Sequence, residues 1–198
     1  MLTAALLIAA GLFGAPALEL EIAGGLAHTL EENYGKTDYP ALVPAAQARA
    51  GLRLTDHLSI GGTFLAVLGG QSPKSLSANS AGQSGFKAVA GLVSLRLHTP
   101  GETGAWIEGG AGTGHLISLQ SDRNFEHPPL SGRGAAAFRL AVGGRIREGR
   151  AIFGLEVAWL RWYGVERPCC DGTGNMAASG LSTDALLLLF SVGFAISP

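Results

Sequence analysis

Apolar and polar positions alternate with a period of two along most of this chain, and most cleanly near its end. In residues 184–197, Leu186, Leu188, Phe190, Val192, Phe194 and Ile196 share one parity. Ala185, Leu187, Leu189, Ser191, Gly193 and Ala195 share the other. Side chains alternate across a strand, so one face is bulky and apolar while the other shrinks towards Ser, Gly and Ala. An apolar run of about 11 residues is too short to cross a bilayer as a helix, which takes about 20, but suits a tilted strand, which takes about 9–11. A soluble sandwich strand would fit this segment equally well, so repetition has to decide.

The pattern recurs seven times upstream. Residues 18–27 set Leu18, Leu20, Ile22 and Leu26 against Glu19, Glu21 and Ala23. Residues 43–54 set Ala46, Ala48, Ala50 and Leu52 against Gln47, Arg49 and Arg53. In 58–68, Ile60 and Phe64 oppose Ser59 and Thr63. In 86–97, Val89, Val93, Leu95 and Leu97 oppose Ser94 and Arg96. Residues 104–117 are the least regular, because Trp106 shares its parity with Glu108, Gly110, Gly112 and Gly114. Residues 133–146 set Phe138, Leu140, Val142 and Ile146 against Arg139 and Arg145. Residues 151–163 set Phe153, Leu155, Val157 and Trp159 against Gly154 and Glu156.

The connections between these segments sort by length. Residues 29–42, 69–85, 118–132 and 164–183 are long and polar, while 55–57, 98–103 and 147–150 are short. An antiparallel meander puts all odd connections at one end and all even ones at the other. Long loops outside and short periplasmic turns inside characterise outer-membrane barrels. The prediction is an all-β fold: an eight-stranded antiparallel up-and-down transmembrane β-barrel over residues 18–198. The long connections are expected to face outward from the cell.

Composition points the same way. The 198 residues suffice for one domain; 47% are hydrophobic and only 15% charged, where soluble domains carry about 25% charge. No stretch after the N-terminus approaches the roughly 18 uninterrupted apolar residues of a membrane helix. Many of the 30 glycines lie inside the alternating runs, where a soluble sheet rarely tolerates them. A net charge of −1 argues against nucleic acid as a partner. Residues 1–17 are apolar, and Ala15-Pro16-Ala17 is a small-x-small cleavage pattern, so a signal peptide is expected there, although it lacks a basic start. Export permits disulfides. The adjacent Cys169 and Cys170 leave a vicinal disulfide, pairing between chains and free thiols all open.

The second face carries Gly, Ala, Ser and nine charges: Glu19, Glu21, Glu108, Glu156, Arg49, Arg53, Arg96, Arg139 and Arg145. A solvated face would favour Lys, Thr, Gln and Glu. Small residues suit the tight interior of an eight-stranded barrel, and charges placed there must be paired. The expectation is a plugged lumen closed by a Glu–Arg network.

On these grounds the chain resembles the small outer-membrane barrels, the OmpA/OmpX/OmpW-like group. The resemblance covers residues 18–198 and rests on strand count, alternation and loop asymmetry. The last strand is similar to an assembly signal, with Ser191, Gly193 and Ile196, but ends on Pro198 where an aromatic residue is usual. The resemblance implies an outer-membrane location in a Gram-negative-type cell, contact with outer-membrane lipid and lipopolysaccharide, the barrel-assembly machinery as a partner during insertion, and an extracellular ligand for the loops. Trp106 is expected in the aromatic belt at the periplasmic interface, and Trp159, Trp162, Tyr163 and Tyr39 at the outer one.

Catalytic chemistry is thinly signposted. His57 and Ser59 share a strand face at i, i+2 spacing, as a base and nucleophile would, but sit at a periplasmic turn. His115 and Ser118 lie at the extracellular end but on opposite parity, and His28 is at that end too, on the first strand. The histidines show no metal spacing, and the glycines at 112–115 and 171–175 lack the strand–helix context of a phosphate loop. Glu31, Glu32 and Asp38 do not by themselves define a cation site. No catalytic, cofactor or metal residue is assigned. The leading function is a structural or binding outer-membrane barrel; the alternatives are a lipid-modifying barrel enzyme and a small-solute channel.

Overall fold

The computed structural model describes residues 17–29, 42–68, 84–120, 131–168 and 176–196. They form eight strands: β1 (Ala17–Thr29), β2 (Val43–Arg53), β3 (Leu58–Val67), β4 (Ser84–His98), β5 (Thr103–Gln120), β6 (Ser131–Glu148), β7 (Ala151–Pro168) and β8 (Met176–Ile196). Each strand pairs antiparallel with its sequence neighbours, and β8 returns to pair with β1 over Leu18↔Ile196 to Thr29↔Ala185, closing a barrel. Closure pairs the backbone groups that an open sheet would leave along its edges.

The register gives the barrel its stagger. Stepping from Glu19 across the ladders to Gly51, Gly61, Ser94, Gly110, Arg139, Leu160 and Ala185 returns to β1 at Thr29, ten residues beyond the start. Each row of facing residues therefore climbs as it passes from β1 to β8. Strand tilt and stagger are linked in this way in every closed barrel.

Alternation along the strands becomes a radial sorting. Outward positions are apolar and exposed: Leu20, Ile22, Phe64, Val93, Leu140, Val142, Phe153, Leu188, Phe190 and Phe194 all stand open. Inward positions are buried, and they hold the polar and charged residues along with Ala, Leu and Trp. A soluble barrel would show the reverse. The outer face is also uneven. Ala46, Ala48 and Ala50 on β2 and Gly109, Ala111 and Thr113 on β5 project little from the wall, whereas β8 projects a line of Leu, Phe, Val and Ile.

The even connections are tight. Leu54 N donates to Leu58 O at 2.9 Å and Thr99 N to Ala105 O at 2.9 Å. Gly101 (φ 107°) and Gly149 (φ 61°) take left-handed conformations in the second and third turns, where glycine is favoured. The odd connections fall largely outside the described residues. Two of them are shorter than the sequence suggests. The expected loop at 164–183 is mostly strand, because β7 runs on to Pro168 and β8 begins at Met176, paired through Val165↔Leu181 and Arg167↔Ala178. The expected loop at 118–132 likewise shrinks, with β5 reaching Gln120 and β6 starting at Ser131. Register shifts hide these extensions. They fall between Tyr163 and Val165 and between Ser131 and Ala136, spanning Gly164 (φ 75°) and Gly134 (φ 69°). A bulge shifts the inward–outward parity, so the alternation stops although the strand does not. The expected signal segment at 1–16 lies outside the described residues; Ala17 already opens β1, opposite Arg53.

Two adjacent glycines on β6 test the radial sorting. A Cβ on inward Gly143 would strike the Trp106 ring and the Leu155 carbonyl, while one on outward Gly144 would meet nothing closer than 4.0 Å. Gly143→Ala should therefore destabilise the barrel by about 1–3 kcal/mol through overpacking, and Gly144→Ala should stay within about 0.5 kcal/mol of wild type. Urea unfolding in lipid or detergent, followed by tryptophan fluorescence, measures both.

Candidate functional site

Closure aims nine charged side chains into the lumen: Glu19 and Glu21 from β1, Arg49 and Arg53 from β2, Arg96 from β4, Glu108 from β5, Arg139 and Arg145 from β6, and Glu156 from β7. The register sets Glu21 directly across the ladder from Arg49, and Arg96 directly across from Glu108. Glu108 is the hub. Its Oε2 accepts from Arg49 Nε at 2.9 Å and from Arg96 Nε at 2.7 Å, and its Oε1 accepts from Arg139 Nη1. Glu21 Oε1 accepts from Arg49 Nη1 at 3.0 Å and Arg96 Nη1 at 2.9 Å. Arg139 Nη2 donates to Glu156 Oε1 at 2.5 Å. Three glutamates and three arginines from six strands thus form one neutral network.

Glu19, Arg53 and Arg145 form a second group nearer the tight turns. Arg145 Nη1 lies 3.3 Å from Glu19 Oε1, and Arg53 Nη1 lies 3.9 Å from the same oxygen. The hub is dry: Glu108 and Arg96 are each 1% exposed. Charge-assisted hydrogen bonds are the strong ones, and only multiple pairing offsets the cost of taking such groups out of water. The Arg96 guanidinium also stacks 3.9 Å from the centroid of Trp106, a favourable use of the aromatic face.

Towards the long-connection end the lumen becomes apolar. Leu65, Leu116, Leu160, Leu187, Leu189 and Trp162 are fully buried there. Parity set Leu187 and Leu189 on the inward face, yet only the small and charged members of that face were weighed. Trp106 and Trp162 are two corrections. Both point inward at 6% and 0% exposure, so neither serves an aromatic belt. Trp106 is held by the cation beneath it. Trp162 lies inward opposite Ala137, and its indole nitrogen would sit 3.0 Å from a Cβ on Gly114. Trp159 and Tyr163 do face outward, flanking Arg161, whose guanidinium lies 5.2 and 5.4 Å from their ring centroids. Arg161 in turn binds both carboxylate oxygens of Asp184 at 2.7 and 2.8 Å. Tyr39 lies outside the described residues.

The structure separates His57 from Ser59. His57 is exposed at the turn and meets the His98 carbonyl at 3.3 Å. Ser59 is fully buried; its Oγ lies 2.9 Å from His98 Nε2 and accepts from Arg49 Nη2 at 3.1 Å. A Ser–His contact is present, but the sealed hydroxyl offers no surface to a substrate. His98 was missed because 98–103 reads as a turn; its parity with Ser94 and Arg96 was the available signal. His28 is exposed on β1, and His115 sits at the register shift in β5. The Ser118 side chain, Cys169, Cys170 and the acidic residues of 31–38 lie outside what the structure describes.

An apolar outside, a charged inside and closed eight-strand meander topology define the class: this is the fold of the small outer-membrane barrels. No protein-family model and no curated protein matches the chain. Solved structures do. Neisserial surface protein A is similar with a TM-score of 0.54 and 11% identity, covering 90% of this chain and 96% of that one. Ail, the attachment invasion locus protein of Yersinia pestis, is similar with a TM-score of 0.57 and 10% identity, covering 92% and 99%. Ail in complex with the heparin analogue sucrose octasulfate gives 0.55 and 12%, with the same coverage. At these identities the likeness is one of fold.

The network makes a sharp energetic demand. Glu156→Gln or Arg139→Met alone should each cost about 3–5 kcal/mol, because a buried charge loses its partner. The double substitution should cost clearly less than the sum. Glu108→Gln, which leaves three guanidiniums sharing the two carboxylates of Glu21 and Glu156, should be the most damaging single change of the set. A double-mutant cycle read by urea unfolding checks the coupling; additive losses would mean that Glu156 and Arg139 do not interact.

Proposed function

We propose that this chain is an integral outer-membrane barrel of a Gram-negative-type cell, exported by a signal peptide within residues 1–17. Its lumen is plugged, and its long connections carry whatever specificity it has. The observation that supports the location is the apolar belt. On β8 the outward side chains from Leu186 to Ile196 are all exposed and apolar. Ten residue steps at about 3.3 Å, tilted by about 40°, span about 25 Å, the height of an outer-membrane apolar band. The Arg161–Asp184 pair and Tyr163 lie just beyond Leu186 and mark the outer interface. The plug is the Glu108 network beneath an apolar upper lumen, a combination that leaves little room for water.

The long connections face outward in this reading, towards lipopolysaccharide and extracellular ligands, and the barrel-assembly machinery inserts the chain. The Ail complex with a heparin analogue shows that a barrel of this fold can present a ligand-binding surface. The channel reading conflicts with the filled lumen. The lipid-enzyme reading loses its best pair, because Ser59 is sealed inside.

Membrane fractionation with heat-modifiable gel mobility tests the location; recovery in the soluble fraction would overturn it. Planar-bilayer recording tests the plug. Wild type should give no large, stable conductance, and a steady open channel would refute the plugged lumen. Tags inserted in 29–42 and 69–85 should label on intact cells, whereas tags at 55–57 should not; the opposite pattern would invert the topology.

A further inference from the structure

The lumen charges do not balance. The Glu108 network is neutral, but Glu19, Arg53 and Arg145 carry one positive charge in excess. Arg145 is 5% exposed and meets Glu19 only at 3.3 and 3.5 Å, both through Nη1. Its Nη2 is buried with no hydrogen-bond partner among the described residues. Arg53 donates to the carbonyls of Thr55 and Asp56 and lies 3.6 Å from the Asp56 carboxylate. That carboxylate is 84% exposed, so water screens it and it offsets little inside the barrel. Arginine cannot relieve the excess by releasing a proton.

The surroundings of Arg145 suit an anion. Across the ladder it faces Gly104 on β5 and Gly154 on β7, and Ser191 follows on the same row. The Ser191 hydroxyl leans over Gly154, and the Thr99 hydroxyl leans over Gly104. The Thr99 hydroxyl is committed to the Ala105 backbone, so the small Gly154 position and the Ser191 hydroxyl are what flank the Arg145 guanidinium. Buried polar groups are normally satisfied, by ordered water or an ion where the protein supplies no partner. Arg96 Nη2 and Arg139 Nε are also without one among the described residues, but Arg145 alone of these belongs to the group that carries the excess charge.

We propose that Arg145 Nη2, with Arg53 and the Ser191 hydroxyl, holds a halide-class anion just inside the tight-turn mouth of the lumen. A monovalent ion cancels the single excess charge, whereas a phosphate dianion would overshoot it. Arg53, whose side chain is 12% exposed, lies on the path from the mouth. The bound anion completes the neutral lumen and makes the stability of the barrel depend on chloride.

Crystals grown in bromide provide the direct test. An anomalous difference peak within hydrogen-bond reach of Arg145 Nη2 is expected. In parallel, thermal unfolding is followed as chloride replaces gluconate at constant ionic strength. Wild type should show a saturating rise in Tm of about 2–4 °C, and Arg145→Met should show none. If Arg145→Met does not fold, Arg53→Gln replaces it and should need more chloride for the same rise. Water rather than bromide at Nη2 would overturn the proposal. So would an adventitious ion only, seen as a peak without saturable stabilisation, or a chloride response equal in wild type and variant.

Discussion

One carboxylate organises the interior of this barrel. Glu108 stands on β5 and receives guanidiniums from β2, β4 and β6, so a single side chain ties four staves together through the middle. In a dry lumen such a contact is all or nothing: fully partnered it is strong, and partly partnered it is a liability. The rest of the inward face accommodates it. Three long arginines reaching across a narrow bore leave no volume for bulk beside them. A Cβ on Gly51 would strike the Arg49 guanidinium, and one on Gly193 would strike the stem of Glu21. Some of the glycines that look anomalous in strands are therefore space left for charge.

The stagger of the sheet then divides the lumen lengthwise. Because rows climb from β1 to β8, a residue's height depends on its strand as well as its position. Glu21 on β1, Arg49 on β2 and Leu92 on β4 share a row with Trp162 on β7 and Thr183 on β8. The charged half and the apolar half are thus two arcs of the same rows as much as two floors. A two-residue slip of one ladder would preserve every inward parity and still separate Glu108 from its partners.

That distinction explains what was legible in the sequence. Parity was: the residues placed on the two faces of 18–27, 43–54 and 184–197 occupy those faces, and closed eight-strand topology followed from their number and spacing. Pairing was not, because period-two alternation specifies a face and says nothing of height. The same alternation could not show that Arg139 reaches both Glu108 and Glu156. Trp106 was misassigned because tryptophan usually prefers an interface, and only the position of Arg96 beneath it reveals why this one turns inward. The upper parts of β7 and β8 were lost where the bulge at Gly164 shifted the parity. His98 was lost because proximity to Pro100 reads as a turn. The Trp106 miss comes from a neighbour distant enough in sequence to be invisible to periodicity, and the other two from local breaks in the alternation.

The long span of these contacts bears on how the barrel is made. Glu19 and Arg145 are separated by 126 positions, and Glu21 and Arg96 by 75. Neither pair exists until β1 lies against partners synthesised much later, and long-range contacts of this kind form slowly. A half-assembled sheet would already hold neighbouring-strand pairs such as Glu21–Arg49 and Arg96–Glu108, but Glu19 and Arg145 would lack each other. Folding of this chain therefore has a commitment point: the meeting of β1 with β8 brings the cross-lumen partners within reach and turns a ribbon with open edges and half-completed charge pairs into a closed cylinder.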